Sequence, residues 1–461
     1  MKRKTIISLL SIMCVTALGV GLAACGEGVQ GDNPSNTPPP NYTPVDDGNS
    51  DLFEFQLNED KNGYTVTGLA EGVTNTNITV PASYNGKPVT QIGEFAFGNC
   101  TTLVSVTISA GISVIGSSAF TGCTSLPTFK FPSTITTISA SAFQNCSGLK
   151  TLYFNGTSQL ETIGANAFQN CSGLISATLP DSVVTVGDRV FQGCSALKSV
   201  AIGNGTQSIG VETFRGCEKL KTVTIGNGLK TVGERAFENC TLIEELVFPT
   251  SLERVGLGAL NGCTGLKNLT LPFVGSEKRD TPLPEEEENT KFNTTNFGYI
   301  FGATSFDEQS SLKLDQLETL TITGNSPIGY HAFTGIGRYT NNEGTSAAGL
   351  RTIIITGDVE IIGTGAFQSC YNLHTLVLPK SVKKIGLQVV GGALIEHVYY
   401  CGSETEWEEI NDGGWENNRE LYGKDADGGQ MNPDPRYFYS ETQPDEEGQF
   451  WHYVEGIPTV W

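Results

Sequence analysis

Residue types on which many catalytic and metal sites depend are scarce in this chain or wrongly spaced for such sites. Only four of its 461 residues are histidine, and no two of them form a His-x-x-x-His pair. The chain also lacks Cys-x-x-Cys and Gly-x-Ser-x-Gly motifs and a phosphate-binding loop. These absences argue against a zinc site, a serine hydrolase and a P-loop NTPase. We therefore expect no enzyme activity, no metal and no cofactor.

Basic residues are few as well. Lys and Arg number 28 against 49 Asp and Glu, which gives a formal net charge of -21. Such a charge argues against nucleic acid and against an anionic bilayer surface as partners. The acidic excess is concentrated from Glu404 onward, where the sequence has 15 acidic and 3 basic residues. A second acidic run is Glu285–Glu288. The ordinary interpretation of both runs is a solvated surface.

The N-terminus has the features of an exported protein. Met1-Lys2-Arg3-Lys4 precedes a largely apolar run over 6–24, as in a secretory signal peptide. Leu22-Ala23-Ala24-Cys25-Gly26 resembles the bacterial lipobox. The resemblance implies cleavage before Cys25 and lipid attachment to it, so we expect an extracytoplasmic, lipid-anchored location at the cell membrane. An uncleaved membrane helix is the alternative, because the run is about as long as a minimal span.

A sequence repeat dominates the rest of the chain. The cysteines recur at steps of 23, 23, 25, 23, 23, 23 and 23 residues, at Cys100, Cys123, Cys146, Cys171, Cys194, Cys217, Cys240 and Cys263, and a later one is Cys370. Around them the pattern is Leu-x-x-Val-x-Ile, a turn, Val-x-x-Ile-Gly-x-x-Ala-Phe and then Cys. Val223 and Ile225 lie two residues apart and share one face of a strand. A single unit cannot bury its apolar set alone, so stacking is required.

This pattern resembles the BspA-like leucine-rich-repeat family of bacterial cell-surface proteins. The resemblance implies a leucine-rich-repeat solenoid, in which parallel β-strands stack along a rod with short helical or 3-10 arcs and turns, capped at both ends. We expect a monomer, divided as follows: a lipoprotein signal peptide over 1–24, a disordered tether over 25–51, an N-terminal cap over 52–91, repeats over 92–273, an acidic insertion over 274–316, repeats over 317–400, and an acidic, aromatic-rich C-terminal cap over 401–461.

The interruption of the repeat and the repeat cysteines each lead to a further expectation. The segment from Gly275 to about Gln316 is polar with an aromatic patch at Phe297, Tyr299 and Phe301. We expect this segment to extend from one face of the rod as a partly ordered excursion. Part of it is expected to consist of degenerate repeat units. The repeat cysteines are expected to be buried thiols acting as small apolar residues, although stacked neighbours could reach disulfide distance.

Candidate binding residues lie on the outward face of the strands and in the tail. If Val223 points inward, Thr222 and Thr224 point outward, and the same columns are mostly Ser and Thr in the other units. This favours a soluble, well-packed surface, whereas binding faces usually carry aromatic or Arg anchors. The candidates for a binding face are Lys130, Tyr153, His397, Tyr399, Trp407 and Trp415.

The C-terminal aromatics have two readings, a cap that seals the last coil or a platform on which sugars stack. Together these features favour a non-catalytic surface lipoprotein that presents its repeat face to a protein or glycan partner. A structural spacer without a specific ligand is the main alternative. A carbohydrate-binding or processing accessory that uses the C-terminal tail is the third.

Overall fold

A computed structural model describes residues 50–281 except 155, 293–337, 349–410 except 394, 418, 421, 436–442, 449–454 and 457–460. Cys25, Trp415, Glu285–Glu288, the expected signal peptide and residues 25–49 of the expected tether lie outside the described residues, whereas Ser50 and Asp51 of that tether are part of a 3-10 turn. Among the described residues, no helix has the length and apolar character needed to cross a bilayer.

Each repeat unit contains one long and one short strand joined by turns. The long strands alternate apolar and polar residues, so one side chain in two is directed into the core. Their outward sides together form the surface that we call the strand face. The long strands are β3 (Asn77–Val80), β6 (Ser105–Ile108), β8 (Thr128–Phe131), β10 (Thr151–Phe154), β12 (Ser176–Thr178), β14 (Ser199–Ile202), β16 (Thr222–Ile225), β18 (Glu245–Val247), β20 (Asn268–Leu271), β21 (Thr319–Ile322), β22 (Thr352–Ile355), β24 (Thr375–Leu378) and β26 (His397–Tyr400).

The short strands form the second ladder of the rod. Their bounds are β5 (Lys87–Ile92), β7 (Val114–Ile115), β9 (Thr137–Ile138), β11 (Thr162–Ile163), β13 (Thr185–Val186), β15 (Ser208–Ile209), β17 (Thr231–Val232), β19 (Arg254–Val255), β23 (Ile361–Ile362) and β25 (Lys384–Ile385). Pairing is parallel and unbroken from β5 to β19, whereas the long strands pair as β3–β6, β8–β16 and β18 onward. The resulting architecture is the predicted parallel solenoid.

A Gly follows every short strand except β9, which is followed by Ser139, and the stacking of the units favours it. An ideal Cβ on Gly210 would lie 2.4 Å from the backbone carbon of Gly187 in the preceding unit. Real Cβ atoms do not approach other atoms so closely, so a side chain would force neighbouring units apart. This close backbone approach explains the Ile-Gly pair in the repeat.

The predicted arcs between short and long strands are hydrogen-bonded turns. Arg235 and Asn239, in the arc that holds Phe237, have φ of 52° and 63°. A left-handed residue every fourth position prevents a continuous helix. Backbone hydrogen bonds link each arc to the next. For example, the amide of Phe237 donates to the carbonyl of Ala259 at 2.8 Å.

The core runs the length of the rod and is organised around stacked phenylalanines. Successive rings have centroids 5.1–5.5 Å apart and lie at 5–22° to one another, in the order Phe97, Phe120, Phe143, Phe168, Phe191, Phe214 and Phe237. All seven side chains are fully buried. The repeat cysteines lie beside them as free thiols, and all but Cys100 are buried. The expectation of buried thiols is confirmed.

The N-terminal segment begins with a 3-10 turn over Ser50–Leu52 and an antiparallel pair, β1 (Phe53–Leu57) and β2 (Tyr64–Leu69). The parallel β2–β5 pairing joins this pair to the short-strand ladder. A further small strand, β4 (Ser83–Tyr84), pairs with β5. The ring of Phe53 packs edge-on against Phe97, the first ring of the stack, with centroids 6.2 Å apart. These strands therefore cover the start of the core.

Part of the expected excursion between β20 and β21 supplies a repeat arc instead. Phe297–Phe301 forms a 3-10 helix in line with the other arcs. The carbonyl of Tyr299 accepts from the amide of Gly258 at 3.0 Å, and the amide of Phe297 donates to Ala332 at 2.8 Å. A short helix at Phe306–Ser310 follows. The arc was not recognisable from sequence as a full unit because the usual Ile-Gly pair and Cys are absent.

The described part of the tail continues the strand face. After a helix at Glu404–Glu408, the strands β27 (Arg436–Tyr439) and β28 (Phe450–Val454) extend the ladder in parallel. The antiparallel strand β29 (Ile457–Val460) then covers β28. Trp451 is fully buried, and its indole N–H donates to the carbonyl of Tyr400 at 3.0 Å. These aromatic residues therefore pack onto the end of the repeat array.

Candidate binding surfaces

The strand face presents the sequence-predicted residues Lys130 and Tyr153 side by side. Their strands β8 and β10 pair in parallel with Tyr153 directly opposite Lys130. Both residues are exposed, and Tyr153 as a residue is 49% exposed. A half-exposed tyrosine offers a flat ring face and a hydroxyl in one position. Among the described residues of the strand face, Tyr153 is the most exposed aromatic residue.

A third outward column was missed in the sequence. The residue that precedes each long strand is exposed at Lys150, Ile175, Lys198 and Lys221. Counting only alternate residues within the strand omitted this position. Its recurrence at steps of 25, 23 and 23 residues, the same as the steps from Cys146 to Cys217, would have revealed it.

The far end of the strand face differs because its outward side chains are mostly covered. Outward Val377, Tyr399 and Trp451 are 0–7% exposed and form a second apolar cluster, separate from the main core. The ring of Tyr437 lies 5.3 Å from that of Tyr399 and 5.7 Å from that of His397. Burial raises the pKa of Tyr399, and nearby Tyr437 adds to the rise. His397 remains half-buried at the margin of this cluster.

These positions correct the expectation that Tyr399 and Trp407 contribute to an exposed face. The ring of Tyr399 is 7% exposed, and that of Trp407 is 1% exposed and packs edge-on against Tyr400 with centroids 5.2 Å apart. Both aromatic side chains instead lose contact with water by packing on neighbouring strands. The structure therefore brings Lys130 and Tyr153 together, but it does not join them to the C-terminal candidates.

A polar ladder follows the arcs. Gln144 donates to Gln169, Gln169 donates to Gln192, and Gln192 donates to Glu212. The carboxylate of Glu212 also accepts from Arg189 at 2.7 Å and from Arg215 at 2.9 Å. The hydrogen bond from Arg189, followed by the charges of Arg215 and Arg189, holds the pKa of Glu212 below its usual range against the opposing effect of burial. This surface is internally satisfied and ties one unit to the next.

A cleft of about 520 Å³ opens where the chain leaves the repeat after β20. Its lining residues are Lys230, Thr250, Ser251, Glu253, Arg254, Glu277, Lys278 and Asp280. Opposite charges face each other there, with Lys230 3.6 Å from Glu253 and Arg254 3.9 Å from Glu277. Cations and carboxylates are equal in number in this lining, so the cleft has no strong preference for a ligand of either charge.

The described residues bear on two kinds of chemistry, metal binding and nucleophilic attack by cysteine. Among those residues, no group of three or more His, Cys, Asp or Glu is placed to hold a metal ion. Burial raises the pKa of the repeat thiols, to about 12 for Cys217 and Cys263. Because the thiolate is the reactive form, these cysteines are poor nucleophiles.

The parallel strands, the repeating arcs and the continuous phenylalanine core define a leucine-rich-repeat solenoid. Residues 73–198, 185–278 and 313–411 match the model of the BspA type leucine rich repeat region, in six copies. The matched segments cover more than half of the chain, and the protein belongs to this family. No curated protein matches the chain significantly.

Solved structures similar to this chain include several bacterial repeat proteins. A leucine-rich repeat protein from Bacteroides ovatus is 24% identical, with a TM-score of 0.46, and the match covers 76% of this chain and 87% of that one. A leucine rich cell surface protein from Faecalibacterium prausnitzii is 22% identical, with a TM-score of 0.40 and coverage of 81% and 98%. The T. pallidum leucine rich repeat protein is 27% identical, with a TM-score of 0.39 and coverage of 47% and 89%.

Proposed function

We propose that this protein is a non-catalytic interaction scaffold of the bacterial cell surface, anchored by lipid on Cys25, which presents its strand face to a protein or glycan. The supporting observation is the exposed pair of Lys130 and Tyr153 in register on neighbouring strands. A rigid array of parallel strands holds these side chains at fixed positions. Preorganised groups lose little conformational entropy on binding. In this proposal the chain acts as a monomer.

Binding by the strand face is tested with an array of immobilised glycans and extracellular proteins, probed with the purified chain lacking residues 1–24. We expect Tyr153→Ala to weaken capture at the spots that bind the unmodified protein. Tyr371→Ala is the matched control, because Tyr371 is 39% exposed but lies in a turn outside the strand face. Equal loss with both variants would contradict a role for the strand face. An array without any binding would favour a structural spacer.

The anchor is tested separately in cells. We expect Cys25→Ala to prevent lipid attachment and release the protein from the membrane fraction, because stable attachment needs acyl chains. Continued sedimentation of the variant with membranes after a high-salt wash would contradict the lipid anchor. It would instead support an uncleaved apolar helix over 6–24.

A further inference from the structure

The strand face is basic over its first repeats, although the chain as a whole is acidic. We use the name lysine strip for the outward residues of β6, β8, β10, β12, β14 and β16 together with the residue before each of these strands. The strip carries Lys130, Lys150, Lys198 and Lys221, all exposed, and none of its positions holds Asp or Glu. In a chain with 49 acidic and 28 basic residues, this local excess of positive charge departs from the average composition.

The charges of the strip are mostly unneutralised. Among the ion pairs of the described residues, none includes Lys130, Lys150 or Lys198. At the C-terminal boundary the situation changes, because Glu244 lies 2.8 Å from Lys221 and 3.1 Å from Lys267. The positive potential of the strand face is therefore strongest before this boundary.

Acidic residues beside the strip lie at its C-terminal boundary, where Glu244 and the outward Glu245 of β18 follow Lys221, and in the flanking turns. Asp181 follows β12, and its carboxylate accepts from the backbone amide of Asn204 at 2.7 Å. Glu218 lies in the turn before β16. An anionic ligand is thus attracted along the middle of the face and repelled at these margins. Such an arrangement of charge steers a ligand of opposite sign and fixes its orientation.

The remaining side chains of the strip indicate what kind of anion it suits. Besides the lysines, its polar positions are Ser and Thr, whose short hydroxyls both donate and accept hydrogen bonds. Tyr153 adds one exposed ring beside Lys130. Arg and Trp, which are enriched at the energetic centres of protein interfaces, are absent from the strip. Val104 and Ile175 are the exposed aliphatic residues of the strip. The lysines, the hydroxyls and the single exposed ring outnumber them and suit a hydroxyl-rich anion better than a protein surface.

We propose that the lysine strip binds an extended anionic glycan, one bearing carboxylate or sulfate groups, along the axis of the rod. The proposal rests on the proposed function and specifies its ligand class. Parallel strands are about 4.8 Å apart, so Lys198 and Lys221 are separated by about one such step and Lys150 and Lys198 by about two. A linear polymer can meet successive ammonium groups at these intervals while its sugar hydroxyls face the Ser and Thr columns.

The test measures binding of the purified chain lacking residues 1–24 to polygalacturonate and to dextran sulfate at low ionic strength. We expect the triple variant Lys130→Gln, Lys150→Gln, Lys198→Gln to bind at least one of these polymers about tenfold more weakly, as for a loss of about 1.4 kcal/mol. The matched control is Lys230→Gln, Lys278→Gln, Lys384→Gln, which removes the same charge from exposed lysines on the short-strand side. We expect the control to bind as the unmodified protein does.

Further polymers separate charge from chemical class. Neutral dextran should not bind, and added salt should weaken binding to the anionic polymers because it screens exposed charges. Equal weakening by both triple variants would overturn the lysine strip as the site. Tighter binding to poly-L-glutamate than to either anionic glycan would overturn the glycan class in favour of an acidic protein segment. Failure with both glycans, together with Tyr153-dependent capture of a protein on the array, would reject this inference and leave the proposed function intact.

Discussion

The thiol of Cys146 donates a hydrogen bond to the carbonyl oxygen of Phe120 in the preceding unit, at 3.0 Å. The same oxygen accepts the backbone amide of Cys123 in its own unit, at 3.2 Å. A carbonyl oxygen has two lone pairs, so the thiol fills an acceptor site that a buried alkyl group would leave empty. Equivalent hydrogen bonds from thiols link later units as far as Cys263. Another is donated by the thiol of Cys370 to the carbonyl of Phe333. The cysteine column therefore connects consecutive units of the rod.

We predict that these thiols resist alkylation in the native protein. Burial both raises the pKa of Cys217 and closes off its access, whereas Cys100 and Cys401 are half-buried. Among the cysteines that the structure describes, iodoacetamide should therefore modify Cys100 and Cys401 first, as measured by mass spectrometry of peptides sampled over time. Protein unfolded in urea is the control, and there all cysteines should react at similar rates. Native labelling of Cys217 as fast as Cys401 would contradict the buried column.

We predict that Phe168→Ala lowers the free energy of unfolding by about 3–5 kcal/mol, as for other buried aromatics. The ring of Phe168 is fully buried and stacks on those of Phe143 and Phe191 at 5.3 and 5.5 Å. Urea unfolding followed by circular dichroism measures the change. The control is Phe95→Ala, since Phe95 is 49% exposed and a surface substitution usually changes stability by less than about 0.5 kcal/mol. Similar midpoints for the two variants would argue against a stacked core.

The sequence predicted the repeat and its core because period and burial coincide there. Most units place Phe, Cys and aliphatic residues inward, and replacements such as Leu260 and Ile336 are also apolar and buried, so the core pattern recurs. The third outward column, which contains Lys150, Lys198 and Lys221, was missed because strand alternation alone does not show that the residue before a strand is also exposed. Burial of Trp407 was equally unpredictable, since an aromatic side chain in a tail can seal a core or bind a ligand. The packing of Tyr400 and Phe438 against the ring of Trp407 is what favours sealing of the core over ligand binding.

We predict that Glu212 stabilises the rod at neutral pH and loses this effect in acid. Arg189, and then Arg215, hold the pKa of its carboxyl below the unfolded value. A carboxyl group with a lowered folded pKa contributes stability above its unfolded pKa, about 4.3 for Glu, and loses it as the pH falls through the folded pKa. Glu212→Gln should therefore lower the melting temperature at pH 7 and change it progressively less as the pH falls below about 4.

The control for this pH dependence is Glu218→Gln, at an exposed turn residue six positions along the chain. It should alter the melting temperature little at any pH at which the protein stays folded. Thermal unfolding of both variants in matched buffers from neutral to acidic pH gives the comparison. A Glu212→Gln deficit that stays constant down to the acid limit would show that the carboxylate charge is not responsible.

We predict that removing residues 401–461 destabilises the last repeats. The tail strands β27 and β28 continue the ladder beyond β26, and the buried indole of Trp451 bonds to the carbonyl of Tyr400. Truncation would expose an unpaired strand edge and apolar surface, a combination that promotes aggregation. We expect a lower melting temperature and increased light scattering at the same protein concentration.

A point substitution distinguishes capping from a general effect of truncation. Trp407→Ala should destabilise the full chain by about 3–5 kcal/mol, because it empties a buried aromatic site between Tyr400 and Phe438. Tyr371→Ala, at an exposed aromatic outside the tail, should change stability by less than about 0.5 kcal/mol. If the truncated chain and Trp407→Ala both keep the stability of the unmodified protein while ligand capture falls, the tail is a platform for a ligand and the aromatic residues do not seal the core.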